Sequence, residues 1–171
     1  MNLKHTITDN FLNQADFENI KNNIFGDKFP WYFQDGVSEY QPQTDLKSPL
    51  AFYWTHMFFN GYPHEGITSP FYSILDPLFK KLNIKALIRV KANLYSNQGQ
   101  IIEHDNHVDF SFKHNGAIFS LNTCNGFTAL KDNTKIKSLA NRLLLFDPSV
   151  PHHSSTCTDT KVRCNISINY F

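Results

Sequence analysis

Two hydrophobic rhythms divide the chain. In the first, Phe17, Ile20 and Ile24 recur at i, i+3 and i+7, which predicts a short helix with Gly26 just past its end as a stop. Residues 27–68 carry two aromatic clusters, FPWYF at 29–33 and AFYWTHMFF at 51–59, among Pro, Gly, Asp and Gln. That mixture predicts loops with one or two strands. Ser69-Pro70 then predicts a helix start, because Ser caps well and Pro is tolerated at the first helical position. Phe71, Ile74, Leu75, Leu78 and Leu82 form its apolar stripe, and Pro77 inside that run should kink or divide it.

After residue 84 the rhythm changes to strict alternation. In ALIRVKANLYS (86–96), Ile88, Val90, Ala92 and Leu94 share one face, while Arg89, Lys91, Asn93 and Tyr95 share the other. Short strands are predicted at 116–122, 126–130, 134–139 and 142–147, separated by turn residues. The last segment, KVRCNISINYF, alternates again: Val162, Cys164, Ile166 and Ile168 against Arg163, Asn165, Ser167 and Asn169. Helices first and evenly spaced short strands afterwards predict a mainly β fold with flanking helices, a jelly roll or related two-sheet barrel. We expect a single domain over 1–171, in which a helical and irregular part (1–84) packs on a barrel core (85–171).

Composition narrows the function classes. At 41% hydrophobic and 18% charged, the chain can bury a core and is not disordered. Aromatics make up 15%, and sixteen of them are Phe, which suits a β-rich interior. A formal net charge of +1 does not predict a nucleic-acid binder. No apolar run approaches the ~20 residues of a membrane span, and MNLKHTITDN has no signal core. Cys124, Cys157 and Cys164 are odd in number and contain no CxxC pair, so neither a disulfide framework nor a zinc knuckle is expected. Reduced thiols and a cytoplasmic location are the expectation.

Candidate chemistry lies in two histidine clusters, EHDNHVDF (103–110) and VPHHSS (150–155). In an extended segment residues i and i+2 project to one side, so His107 and Asp109 can share a pocket. A His from a distant strand would complete a 2-His-1-carboxylate face and leave three metal positions open. HxD alone arises by chance. Here His152 follows 45 positions on, after several strands, and Arg163 comes eleven residues later on the polar face of the terminal strand. An Arg on an inward polar face needs an anionic partner, and its planar fork matches a carboxylate.

At this point the region from about Leu87 to Phe171 resembles the 2-oxoglutarate/Fe(II) dioxygenases, close to their prolyl-hydroxylase-like branch and to small bacteriophage-encoded members. KANLYSNQGQIIEHDNHVD, AIFSLN with NGFTAL, and NRLLLFDPSVPHHSSTCTDTKVRCNISINYF carry the likeness. The resemblance implies a double-stranded β-helix with Fe(II) held by His107, Asp109 and His152. It implies 2-oxoglutarate as cosubstrate, its distal carboxylate on Arg163, with Tyr95, Ser167 and Asn93 beside it. It implies O2 as co-reactant, succinate and CO2 as products, and a hydroxylated prime substrate such as a peptidyl proline. Where this branch often presents a second tyrosine, the chain has Phe119 or Ser120. Asp109 sets the chain apart from halogenating relatives, which replace that carboxylate with a small residue.

Other readings stand beside this one. His152 is preferred over its neighbour His153 by fit to the family pattern, and His107 over His104 because His104 lacks the HxD spacing. His56 and His64 are expected as structural histidines, a substrate cleft being the alternative, and Trp31, Tyr32, Tyr53 and Trp54 as core, a substrate groove being the alternative. A cupin-like hydrolase or isomerase on Zn2+ or Mn2+ would use the same ligands without needing Arg163. A non-catalytic binding module would keep only the barrel.

Overall fold

The computed structural model describes residues 5–36, 50–61 and 66–171; His64 lies outside them. Fourteen short elements build two antiparallel sheets and a helical cover. The larger sheet has eight strands. Seven of them follow the order β1 (Thr6–Thr8), β9 (Arg142–Phe146), β6 (Asn115–Ser120), β11 (Val162–Tyr170), β5 (Leu87–Ser96), β3 (Tyr53–Asn60) and β2 (Tyr32–Gln34). The eighth, β4 (Ile67–Thr68), pairs with β3. The smaller sheet runs β10 (His152–Ser154), β7 (Phe127–Leu130), β8 (Lys135–Lys137). Beside β10, the 102–107 segment adds a further edge. His104 N–H donates to Ser154 O at 2.9 Å, and Thr156 N–H donates to Ile102 O at 3.0 Å. The chain crosses between the sheets from β6 to β7, β8 to β9, β9 to β10 and β10 to β11, the alternation of a double-stranded β-helix.

The alternation along β5 and β11 determines which side faces what. β11 is the central strand, paired with β5 on one edge and β6 on the other. Its Cys164, Ile166 and Ile168 join Val90 and Ala92 in the hydrophobic core, all fully buried. Helix α1 (Gln14–Ile24) covers this face with Phe17, Ile20 and Ile24, and α2 (Asp76–Leu82) covers it with Leu78. The Asn13 side chain caps α1 by accepting from Asp16 N–H at 2.9 Å. Pro77 does divide the second helical run: a 3-10 turn (Tyr72–Leu75) leads into α2, with Pro in its first turn. The Ser69 hydroxyl accepts from Phe71 N–H at 3.1 Å, which sets the chain's entry into that turn.

Three regions differ from the sequence expectation. Most of the aromatic stretch at 51–59 lies in β3, the strand flanking β5, and among the described residues three strands rather than one or two fall between 27 and 68. Strand β1 and the two-residue-period start of β10 carry too few apolar residues to register as alternation. Tyr32, expected in the core, is 58% exposed. No described helix is long and apolar enough to cross a membrane.

Candidate metal centre

The inner faces of β5 and β11 meet as a ladder of polar cross-strand pairs. In register these are Tyr95 with Arg163, Asn93 with Asn165, Lys91 with Ser167, and Arg89 with Asn169. A period of two puts all eight on one side of the sheet, opposite the core. The ladder lines the space between the two sheets, and the candidate ligands face it from the other wall.

His107 and His152 are themselves a cross-strand pair. His107 N–H donates to His152 O at 2.9 Å and His152 N–H returns the bond at 3.0 Å. Directly opposed residues project to one face, and the two rings sit 4.6 Å apart. Asp109, two residues on, is anchored through its N–H to Pro148 O at 2.9 Å. Ligating atoms of His107, Asp109 and His152 all lie within 4.8 Å of one another.

The surroundings set the protonation state of each group. His152 Nδ1 lies 3.0 Å from Val150 O and His107 Nδ1 lies 3.4 Å from Asp105 O. A carbonyl only accepts, so Nδ1 carries the proton and each Nε2 keeps a free lone pair. Burial pushes the His107 imidazole down to about 4, with the neighbouring His152 adding to the effect. Burial lowers His152 as well. For Asp109, burial is the largest single influence and would raise the carboxyl, but the Arg89 charge together with His152, Lys91 and the Asn169 hydrogen bond outweighs it and holds the group ionised well below the usual range.

A set of residues that the sequence reading did not single out holds that carboxylate. Arg89 Nη2 donates to Asp109 Oδ1 at 2.7 Å and Asn169 Nδ2 donates to Oδ2 at 2.8 Å. Arg89 Nε also donates to Asn169 Oδ1 at 3.3 Å, closing a ring of bonds. His114 donates through Nδ1 to Phe112 O at 2.9 Å, so its Nε2 accepts from Asn169 at 3.1 Å and fixes the amide's orientation. Arg89 and Asn169 stand on the same polar faces as Tyr95 and Arg163, six residues away in each strand. That spacing was the available signal.

Arg163 is 1% exposed. Its Nη1 donates to Ser155 O at 3.1 Å and its Nη2 to Thr128 Oγ1 at 2.8 Å, while Nε is buried without a partner. The guanidinium lies 5.4 Å from the Tyr95 ring centre, and no carboxylate pairs with it among the described residues. Burial disfavours its charged form and lowers its pKa from the usual arginine value. Tyr95 stacks on Tyr53 at 5.6 Å and 15°. Asn93 donates to Asn165 Oδ1 at 3.0 Å and leaves its own Oδ1 unpartnered.

A cavity of about 40 Å3 separates the two walls, bounded by His107, Asp109, His152, Asn93, Tyr95 and Ser167 among others. Arg163 is not at its surface; Thr128, to which it is bonded, is. On β6, Ile118 lines the cavity while Phe119 packs edge-on against Phe11 and Phe17 in the core. Of the two positions considered for a second tyrosine, only Ser120 shares Ile118's face.

The remaining histidines are placed elsewhere. His153 bridges Asn106 Oδ1 at 3.0 Å and Glu103 Oε2 at 3.1 Å, outside the triad. His104 is buried against Tyr95, with Nδ1 2.8 Å from the Ser154 hydroxyl and Nε2 unpartnered. His56 spans Pro30 O at 2.9 Å and the Ser69 hydroxyl at 2.7 Å, a structural role.

No family model and no curated protein matches the sequence. Solved structures do match in fold. A prolyl hydroxylase from Trichoplax adhaerens, solved with a hypoxia inducible factor peptide, is 17% identical with a TM-score of 0.61, covering 99% of this chain and 84% of its own. The chain carries the fold of the 2-oxoglutarate/Fe(II) oxygenases. The viral collagen prolyl hydroxylase of Paramecium Bursaria Chlorella virus-1, solved as a 2-oxoglutarate complex, is 12% identical with a TM-score of 0.60, over 96% of this chain and 94% of that one. The non-heme α-ketoglutarate-dependent epimerase SnoN of nogalamycin biosynthesis is 9% identical with a TM-score of 0.64, over 99% and 78%. This fold therefore hosts more than one oxidative outcome, and side chains must carry the functional argument.

Proposed function

We propose that this chain is an Fe(II)- and 2-oxoglutarate-dependent oxygenase that hydroxylates a prime substrate, with a peptidyl residue such as proline as the substrate class. The observation that carries the reading is the pairing of a convergent His107–Asp109–His152 set with a buried Arg163 that has no carboxylate partner among the described residues. Two neutral imidazoles and one ionised carboxylate suit Fe(II), and small side-chain rotations bring all three to one ion. Bound there, Fe(II) would supply the redox chemistry that couples O2 to conversion of 2-oxoglutarate into succinate and CO2.

The chain's own residues do the rest. His107 and His152 present Nε2 lone pairs without competition from protons at neutral pH. Arg89 and Asn169 occupy one lone pair on each Asp109 oxygen and so limit how the carboxylate can swing. Arg163 would receive the distal carboxylate of the cosubstrate once Thr128 yields its bond, and Tyr95, Asn93 and Ser167 offer polar atoms along the way. Closure between the two sheets excludes bulk water from the reacting atoms. A groove of about 550 Å3 beside the cavity shares Tyr53 and Lys91 with it, and is lined further by Tyr32, Thr55 and His56. Its place beside the cavity suits a peptide substrate, and two of the fold relatives are prolyl hydroxylases. Residues 1–171 would then act as one domain, β3 supplying part of the substrate wall.

Anaerobic titration of the protein with Fe(II) and 2-oxoglutarate tests this directly. A weak visible charge-transfer band should appear, and Arg163→Ala should lower the 2-oxoglutarate affinity at least about tenfold, the loss expected for one charged hydrogen-bonded contact. A metal hydrolase on the same ligands would bind the ion, give no such band, and be indifferent to Arg163. That result would remove the proposal.

A further inference from the structure

Beyond the polar ladder, at the end of the barrel where Arg163 is sealed, two thiols and a carboxylate converge from separate loops. Cys124 lies in the turn between β6 and β7, while Cys157 and Asp159 lie between β10 and β11. Both Sγ atoms and a carboxylate oxygen lie within 4.8 Å of one another. Both thiols are free and buried, and Asp159 reaches them from the surface.

The loops are tied to each other by bonds that leave both sulfurs and the second Asp159 oxygen available to an ion. Asn125 N–H donates to Asp159 Oδ1 at 3.0 Å. Asn125 Nδ2 donates to the Thr158 hydroxyl at 2.7 Å, and Thr158 N–H returns a bond to Asn125 Oδ1 at 2.9 Å. The convergence is therefore a property of the fold. Tetrahedral Zn2+ takes thiolate sulfur at ~2.3 Å and carboxylate oxygen at ~2.0–2.2 Å, which places its donors roughly 3.5–4 Å apart. Two sulfurs select a soft or borderline ion over Mg2+ or Ca2+. The Thr160 hydroxyl, 3.3 Å from Cys157 Sγ, or a water can take the fourth corner.

We propose that Cys124, Cys157 and Asp159 form a second metal site, separate from the histidine triad, that takes a thiophilic divalent ion such as Zn2+. The ion would join the two loops that grip Arg163. A Cβ placed on Gly126 would lie 2.5 Å from the Thr156 carbonyl oxygen and 2.7 Å from Arg163 Cδ. Ser155 O accepts from the same guanidinium. An ion bridging residues 124 and 157 closes this sleeve and fixes the arginine's stem. Each coordinating thiol releases its proton to solvent on binding, so apparent affinity should fall as pH is lowered.

Co2+ distinguishes the two sites in one experiment. The full chain, reduced with a phosphine under argon, is titrated with Co2+ alone. Thiolate ligation gives intense sulfur-to-metal charge transfer in the near ultraviolet and strong tetrahedral bands in the visible; His and carboxylate ligation gives neither. We expect these bands to saturate within two equivalents in the unaltered chain, where the triad also takes Co2+, and to vanish when Zn2+ is added. They should survive in a His107→Ala/Asp109→Ala double variant, disappear in Cys124→Ser, and need about tenfold more Co2+ in the surface variant Asp159→Asn. Absence of the bands in a protein whose three thiols all titrate as free would overturn the proposal, as would their persistence in Cys124→Ser. Asp159→Asn perturbs no buried group, so the test stands even if a cysteine variant fails to fold. The readout involves neither 2-oxoglutarate nor the triad, so it fails or succeeds independently of the oxygenase reading.

Discussion

Asn169 shows how a single amide can determine a site's geometry. Its two amide hydrogens go to Asp109 Oδ2 and His114 Nε2, and its oxygen accepts from Arg89. Every polar atom is used, so neither rotation nor an amide flip is free. Asn169→Ala should leave Asp109 held by Arg89 alone and weaken metal binding by about 10–100-fold, the range found for residues that orient a ligand. Calorimetric titration with Fe(II) or Co2+ under argon measures this, and an unchanged affinity would show that Arg89 suffices. Asn169→Asp would set a second carboxylate against Asp109 and should disturb the site more than Ala does.

Among the elements, the N-terminal segment is joined to the barrel by the β1–β9 pairing, by the Asp9–Arg142 ion pair and, where it is buried, by one asparagine. Asn141, in the left-handed region at φ 62°, accepts from Leu12 N–H at 2.8 Å and donates to Leu12 O at 2.8 Å. Its own carbonyl accepts from Phe11 N–H at 2.9 Å. Asn141→Ala leaves two buried backbone groups unpaired and puts Ala in a left-handed conformation that Asn tolerates better. The expected cost is about 2–4 kcal/mol of stability. Urea unfolding measures it, and Asn141→Gly, which keeps the backbone conformation, separates the two contributions. Much of this level was legible in the sequence. The alternation in β5 and β11 predicts both faces, because a period of two is local and needs no knowledge of partners. The same local rule pairs His107 with Asp109. What was not legible is non-local: that β3 would flank β5, and that His107 would pair across strands with His152. Arg89 and Asn169 were visible on the right faces but carried no motif, so nothing in the sequence distinguished them from Lys91 or Asn165.

For the whole molecule, neutral buried histidines make stability depend on pH. Burial, followed by the nearby Arg163 charge, pushes His104 down to about 4. Burial moves His107 and His152 in the same direction. An unfolded chain protonates these rings from about pH 6.5, while the folded chain resists until much lower. More protons bind to the unfolded state in that window, so stability is full above about pH 6.5 and falls as pH drops toward 4. For His104 alone the loss at pH 5 is about 2 kcal/mol by this linkage. Metal-free protein should therefore show a lower denaturation midpoint at pH 5 than at pH 7, with a smaller difference in His104→Asn. Equal midpoints at the two pH values would contradict the neutral, buried assignment.

The polar ladder also determines how substitutions along β11 should sort. Positions 163, 165, 167 and 169 face the cavity wall, and positions 164, 166 and 168 face the helices. On the proposed function, changes at the first set should act mainly on binding, and changes at the second should mainly weaken the frame. Function and durability are thus written on alternate letters of one nine-residue strand. Evolution can revise the ligand specificity of this protein by editing every second residue, with the core residues between them held constant.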